Sequence, residues 1–501
     1  MLPKTIVISP LLAVVLIFCP LGCDLDDGEC GENGVDEHGE LAWVDPPSRL
    51  DGYFGLAPEL EIRLRIFDEL WEELAARYAG FVVNGVDWDA ARLTYRPQIE
   101  QATSYGRFYA VLSQLASELN DGHVQLSSDR VCSTTCDARP PVYFTSANYS
   151  SLGACVTLTD QEELIVYRVE PDNPAGLKPG DQIIGYDGVS WRENLETIGS
   201  WKLPRCGGTG TSERTREILR MESILNNAHL FRELGVKRRD RGRTEMIATS
   251  SILGKRSTLA CTDQLPVEGV AFPFTHFEDF ATQSHVSHAR LPGTNIGYIY
   301  VYSQGFNNVW LDLPAAVQAL FDTEALIIDQ RFNSGNTPGS RALSLLFGED
   351  VDHIMSCLFR DENSTERTVL VGEPDSWDYI DADESTFYNR PIALLTGPGA
   401  GSGGDIWPYK LSFHPRARRF GRSTHGVASG LAPLWQPDPY LGDISFAYTF
   451  CLMVDGEQKF LHGANIPPEE PLWLRADDIA GGTDTVVQAA LDWIAAENSV
   501  H

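Results

Sequence analysis

Between Leu60 and Leu119 the apolar residues recur at helical spacing. Leu60, Ile62, Leu64, Ile66, Leu70, Leu74 and Tyr78 mark a first helix. Phe108, Leu112, Leu115 and Leu119 form an i, i+4, i+7, i+11 stripe on a last one, and such stripes are packing faces. Asn120-Asp-Gly122 ends that helix, and His123 opens a short alternating segment. Residues 142–192 turn β-rich, with strands predicted at Leu164–Val169 and Gln182–Tyr186 and turn residues over 174–181 and at Asp187-Gly188. Residues 207–262 are charged, with helix predicted around 213–234 and a basic stretch at 237–243 that reads as a solvated face or loop. The last block alternates: strands at 296–302, Ala325–Asp329, 391–395 and 445–454, helices at 309–321, 341–347, 405–413 and 483–497. That order predicts an α/β layer architecture around a mixed sheet.

The amino terminus departs from this pattern. One lysine is followed by the mostly apolar run 5–18 and then by Pro20-Leu-Gly-Cys23, the proportions of an export signal and too short for a membrane span. The Leu-Gly-Cys ending resembles a bacterial lipoprotein cleavage box with Cys23 as the lipidated residue. Pro20 fits that box poorly, which leaves plain signal-peptidase cleavage open. Residues 24–47 are acidic and poor in apolar side chains, and read as a flexible tether. The chain has 501 residues, enough for several domains, and a formal net charge of −31. That charge excludes nucleic acid or an anionic membrane surface as the main partner. Ten cysteines are present, and eight remain once Cys19 and Cys23 are set aside. An even number in an exported chain permits disulfides of unknown connectivity, with Cys132 and Cys136 close enough for a local loop. A zinc site is not indicated, because no second close cysteine pair or histidine pair lies nearby.

The run Gly399-Ala-Gly-Ser-Gly-Gly-Asp405 follows a buried-strand pattern and precedes a helix pattern. A serine in such a glycine nest is lifted from the backbone beside free N–H groups, the parts needed to attack a carbonyl and hold an oxyanion. Ser402 is the candidate nucleophile and Gly403 N–H one candidate donor; Gly335 or Ser334, in the loop after Asp329, could supply another. A serine hydroxyl needs a base, and His123 sits at a domain junction. Each of these residues is also at home in an ordinary turn.

Five segments in order resemble the tail-specific (C-terminal-processing) serine proteases, and more closely their tricorn-like branch. They are Gly85-Val-Asp-Trp88 through Leu119-Asn-Asp-Gly-His123; Val169 through Gly188, similar to a PDZ domain; Ile296-Gly-Tyr-Ile with Leu326 through Gly335; Ser402-Gly-Gly-Asp405 through Tyr409; and Ile466-Pro-Pro-Glu469. The resemblance implies a ClpP/crotonase-like α/β core and a Ser402 nucleophile with Gly403 and Gly335 at the oxyanion. It implies Leu152 and Gly153 in a loop that caps peptide carboxylates. Most of the family takes its base from a lysine after a Thr-x-Gly turn; here Thr424-His-Gly426 is followed by Val427. The tricorn-like branch uses a histidine matching His123. Its orienting acidic residue aligns with His462, and Glu457 reaches that place only with a five-residue offset. His425 merely fills its turn. Asp405 is a supporting candidate, although a carboxylate there also suits the helix dipole.

The implied division is a signal at 1–23, an acidic linker at 24–50, a helical module at 51–130, a PDZ-like domain at 138–205, a charged helical connection at 206–265 and the catalytic core at 266–501. The implied function is an exported, cell-envelope serine peptidase without cofactor or metal. It would act on peptides or unfolded proteins by their C-termini, touching membrane only through a lipid on Cys23. The alternative is a catalytically impaired member that binds peptides or other ligands. An α/β-hydrolase esterase predicts Gly-x-Ser-x-Gly spacing, which Gly-Ala-Gly-Ser-Gly-Gly lacks.

Overall fold

The computed structural model describes residues 46–500 apart from 133–141, 146–148, 151, 209, 254–258, 272–283, 304–308, 337–339, 373–377, 384–385 and 433–443. The signal, Cys23, Cys30, Cys136 and most of the acidic tether lie outside the described residues. The helix Pro46–Tyr53 begins within the expected tether and buries Leu50, so ordered chain starts earlier than composition suggests.

The C-terminal half is built on a six-stranded sheet. Val286–Arg290 runs antiparallel to Ile296–Val301, which then pairs in parallel with Ala325–Asp329, followed by Ile392–Thr396, Ala417–Gly421 and Glu470–Pro471. The central strands are buried along their whole length, which is why they read as unbroken apolar runs and not as alternation. Side chains still divide by face: Leu326, Ile328 and Leu394 pack with Trp407 and Leu411, whereas Ile327, Ala393 and Leu395 pack with Val486, Ala490 and Ile494 of the closing helix. A sheet with helices on both faces places its loops at the strand ends, where α/β sites form.

The N-terminal half shares one core. The helices Leu60–Arg77, Trp88–Gln101 and Tyr105–Ser117 pack with a five-stranded antiparallel sheet in the order Ala154–Leu158, Leu164–Val169, Gln182–Tyr186, Glu233–Lys237, Thr244–Ala248. The region expected as a helical connection is different. Its helix stops at Glu222, a 3-10 segment covers Ser223–Leu230, and a hairpin completes the sheet, its turn made from the basic stretch. Leu234 and Val236 alternate with polar neighbours, a period-2 signal hidden by the charged composition.

Strand pairing and backbone hydrogen bonds are among the contacts that join the halves. The strand Gln125–Ser128, directly after His123, pairs antiparallel with Ile444–Ala447, and Ala79 N–H donates to Thr449 O at 3.1 Å. Disulfides link Cys132–Cys206, Cys155–Cys261 and Cys357–Cys451. Cys132 therefore bridges to a distant partner and not to Cys136. Among the described residues no helix is long and apolar enough to cross a membrane.

Candidate active site

Ser402 sits between the strand Ile392–Thr396 and the helix Gly403–Leu411, at φ 57°, ψ −117°. A non-glycine residue held there stores roughly 1–3 kcal/mol of backbone strain, affordable only where neighbours enforce it. The neighbours are backbone. A Cβ on Gly335 would lie 2.5 Å from Gly401 O, 2.6 Å from Ser402 Cβ and 2.8 Å from Gly403 N, and one on Gly404 would lie 2.4 Å from Asn333 O. Gly401 N–H donates to Asn333 O at 3.0 Å, and Gln330 Nε2 to Gly404 O at 3.3 Å. The loop after Asp329 is thus clamped against the serine turn, as two adjacent parallel strands require.

The two expected oxyanion donors fare differently. Gly403 opens a helix, where its N–H has no intrahelical acceptor. Gly335 N–H instead donates to Asn333 Oδ1 at 3.0 Å, and Ser334 N–H to Tyr302 O at 2.8 Å. The Asx turn that gives the loop its shape engages the Gly335 donor in this structure, where Gly335 contributes close approach and a left-handed φ of 85°.

Beneath the loop lies a buried group that the sequence reading missed. Arg331 pairs with Asp329 at 2.6 Å and with Asp484 at 2.8 Å, all at most 4 % exposed, and Tyr298 OH donates to Asp329 at 2.6 Å. Its only sequence signal is Asp-x-Arg at a strand end.

His123 is buried. Its backbone N–H donates to Asp121 Oδ1 at 2.9 Å, and its Nδ1 lies 2.9 Å from Ser429 Oγ. Ser429 Oγ is also 3.2 Å from Thr449 Oγ1. Burial pushes the His123 imidazole down to about 4 against the pull of the Asp121 carboxylate. No hydrogen bond joins Ser402 Oγ to His123 among the described residues. The carboxylate sought at the imidazole is replaced by a hydroxyl, and Ser429 had no signal of its own in the sequence.

Asp121 is the hub behind His123. Tyr78 OH donates to its Oδ2 at 2.9 Å, and His462 Nε2 lies 3.4 Å from the same oxygen, an ion pair when that imidazole is protonated. Burial alone would raise the Asp121 carboxyl, but the His462 and His123 neighbours hold it well below its ordinary value. His462 therefore faces Asp121 and leaves the His123 ring to Ser429.

Asp405, the other supporting candidate, is buried and accepts Gly426 N–H at 2.7 Å and Val427 N–H at 2.9 Å. Burial raises its carboxyl to about 6. It pins the Thr424–Val427 turn to the serine helix, and the buried Val427 occupies the lysine position. His425 rides over the serine turn: its Cβ is 3.2 Å from where Gly401 would carry a Cβ. Its buried Nδ1 bonds no other described residue, and burial pushes the ring down to about 4.

Leu152 and Gly153 precede the edge strand Ala154–Leu158. Gly153 O accepts Glu170 N–H at 2.8 Å, and a Cβ on Gly153 would lie 2.7 Å from Glu170 Oε2. The same strand is covered by the helix Glu213–Glu222: the buried Glu222 carboxylate accepts Leu158 N–H and Thr157 Oγ1–H, both at 3.0 Å.

Residues 61–117 match the tricorn protease C1 domain, and residues 295–468 match peptidase family S41. No curated protein sequence matches the chain. Mature CPAF complexed with lactacystin shares the fold at TM-score 0.61 and 15% identity, over 87% of this chain and 97% of that one. A CPAF mutant does so at 0.61 and 16%, over 84% and 95%, and mature CPAF at 0.60 and 15%, over 84% and 94%. The S41 match spans the four inner strands of the sheet, the serine turn and the Pro-Pro segment, and the C1 match spans the helices leading to His123; over these segments the chain matches the tail-specific proteases of family S41, a match that supports a serine peptidase.

Proposed function

We propose that Ser402 is the nucleophile and His123 the base of an exported peptidase. The observation that carries this is Ser402 held at positive φ on the first turn of a helix, with the Gly403 N–H beside it. The hydroxyl attacks the scissile carbonyl carbon while His123 Nε2 takes its proton. Gly403 N–H receives the negative charge on the carbonyl oxygen. His123 then protonates the leaving amine as the C–N bond breaks, and a water repeats the sequence to free the acid and regenerate Ser402. For Nε2 to accept, Nδ1 must carry the proton, and Ser429 Oγ can accept it while donating to Thr449 Oγ1. His123 is preferred over His425 because a base oriented by a third group suits this chemistry, and His425 Nδ1 has no such partner.

Labelling by a fluorophosphonate probe tests the reading. Labelling in the wild type, its loss in Ser402→Ala, a fall of several orders of magnitude in His123→Ala and retention in His425→Ala are expected. Because CPAF has been captured with lactacystin, competition by that compound is an added test. The engaged Gly335 N–H and His462 in place of a carboxylate favour the second reading, a binding protein on the same scaffold. Wild type that never labels decides for it.

Substrates are peptides or unfolded proteins taken by their C-termini, the role a PDZ-like sheet suits. Three disulfides support an oxidising compartment and thus export, with Cys23 as lipid anchor at the cell envelope. Incorporation of labelled palmitate, lost in Cys23→Ala, tests the anchor.

A further inference from the structure

We infer that the cavity between the helices Trp191–Ser200 and Glu213–Glu222 and the end of Tyr105–Ser117 holds the free α-carboxylate of a bound peptide, on Arg205, Arg216 and Arg220. The inference rests on the peptidase reading and relocates its C-terminus site. The cavity measures about 640 Å³ and carries these three arginines beside an apolar wall of Trp191, Leu195 and Leu219.

In a chain of net charge −31, three guanidinium groups with no carboxylate at ion-pair distance among the described residues call for an account. None of the three forms an ion pair among the described residues, and Glu118, Glu213 and Glu196 act on Arg205, Arg216 and Arg220 only from a greater distance. Each guanidinium offers five N–H donors. Arg216 uses one on Thr211 O at 2.6 Å and Arg220 one on Leu195 O at 2.6 Å, while Arg220 Nε is buried and unpaired. Arg205 lies over the Phe144 ring, 6.0 Å away. Burial, and then the neighbouring Arg220 charge, hold the Arg205 guanidinium below its ordinary value against the opposing pull of Tyr95 and Glu118.

Carboxylates also line the cavity, and they select the ligand. Glu217 is committed to Arg192 at 3.2 Å and to Arg214, and Glu118 accepts Tyr95 OH. Glu196 and Glu213 remain near. A multiply charged phosphate would meet this acidic rim, whereas one carboxylate with an apolar side chain matches both the arginines and the wall. The loop expected to cap a carboxylate is unsuited to it: Glu170 sits at Gly153, and Glu222 already takes the Leu158 N–H of the edge strand. The cavity wall also approaches the loop that carries His123. Its wall includes Gly207 and Gly208, and the adjoining Thr211 Oγ1 accepts Gly122 N–H at 3.1 Å, one residue from His123.

The test uses the full chain as Ser402→Ala and fluorescence anisotropy of alanyl-alanyl-leucine labelled with fluorescein at its amino end. The free acid is expected to bind at least tenfold tighter than the C-terminal amide. Arg205→Gln with Arg220→Gln is expected to remove that preference, and Arg216→Gln serves where the double variant fails to fold. Equal affinity for acid and amide overturns the inference, as does a preference that survives the arginine changes. Inorganic phosphate raising the melting temperature while the free acid does not bind overturns it in favour of a phosphate site. Fluorophosphonate labelling of the Ser402-bearing chain is read in parallel. A failed peptidase reading abolishes labelling with the acid preference kept, and a failed carboxylate site removes the preference with labelling kept.

Discussion

Replacing Ser429 by alanine removes one buried hydroxyl, 2.9 Å from His123 Nδ1, and nothing at Ser402. With a neutral imidazole that hydrogen bond contributes about 1 kcal/mol, and with the imidazolium formed in the transition state roughly twice that. If only the strengthening is lost, about 1 kcal/mol, kcat/KM falls about 5-fold. If the whole charged bond is lost, about 2 kcal/mol, it falls about 30-fold. Steady-state peptide hydrolysis and the second-order rate of fluorophosphonate labelling should agree within that range. Losing an acceptor for Nδ1–H also destabilises the imidazolium, so the acid limb of kcat/KM should move to lower pH, which a loss of packing alone would not do. Ser429→Thr keeps the hydroxyl and should restore most of the rate. Ser429→Ala within twofold of wild type, with an unmoved acid limb, would refute the orienting role.

Four further outcomes are expected. The acid limb of kcat/KM should lie near pH 4, not near the ordinary histidine value of about 6.5, because the buried His123 stays neutral until that pH and loses its capacity as a base below it; a limb at 6 or above contradicts the burial argument. Gly335→Ala places a methyl 2.5 to 2.8 Å from the serine turn at φ 85°, and should lower the labelling rate about a hundredfold. Arg331→Met leaves Asp329 and Asp484 buried without their cation and should destabilise the chain by about 3–5 kcal/mol in urea unfolding; a change under about 1 kcal/mol would show the triad to be passive. Opening Cys132–Cys206, which spans 74 residues, should remove about 4 kcal/mol of stability, seen as a lower melting temperature of the double variant Cys132→Ser with Cys206→Ser.

How much of this was legible in the sequence depends on the range of the interaction. The strands Leu164–Val169, Gln182–Tyr186 and Ala325–Asp329 coincide with their apolar runs because burial on a sheet is a local pattern. The helix at 213–222 was read too far because Leu225, Ala228 and Leu230 continue a nearly helical spacing through the 3-10 segment. Ala417–Gly421 was missed because the short outer strand Glu470–Pro471 pairs with only Phe420 and Gly421, which lets the strand carry Arg418 and Arg419, and these pair with Glu470 and Glu469. Ser402 was visible because strained turns need glycines beside them. Ser429 was not, since its partner is 306 residues away and only packing aims its hydroxyl. The same holds for the Gly335 donor: Asn-x-Gly spells a turn, but not where its N–H will point.

The pairing of Gln125–Ser128 with Ile444–Ala447 has a consequence for synthesis. On the proposed assignment the base arrives with the first part of the chain to leave the ribosome, and the strand that seats it arrives almost last. A nascent or truncated chain ending before residue 444 carries both reactive groups without holding them in register. Competence is thus tied to completion of the polypeptide, a safeguard against self-digestion that needs no removable pro-segment.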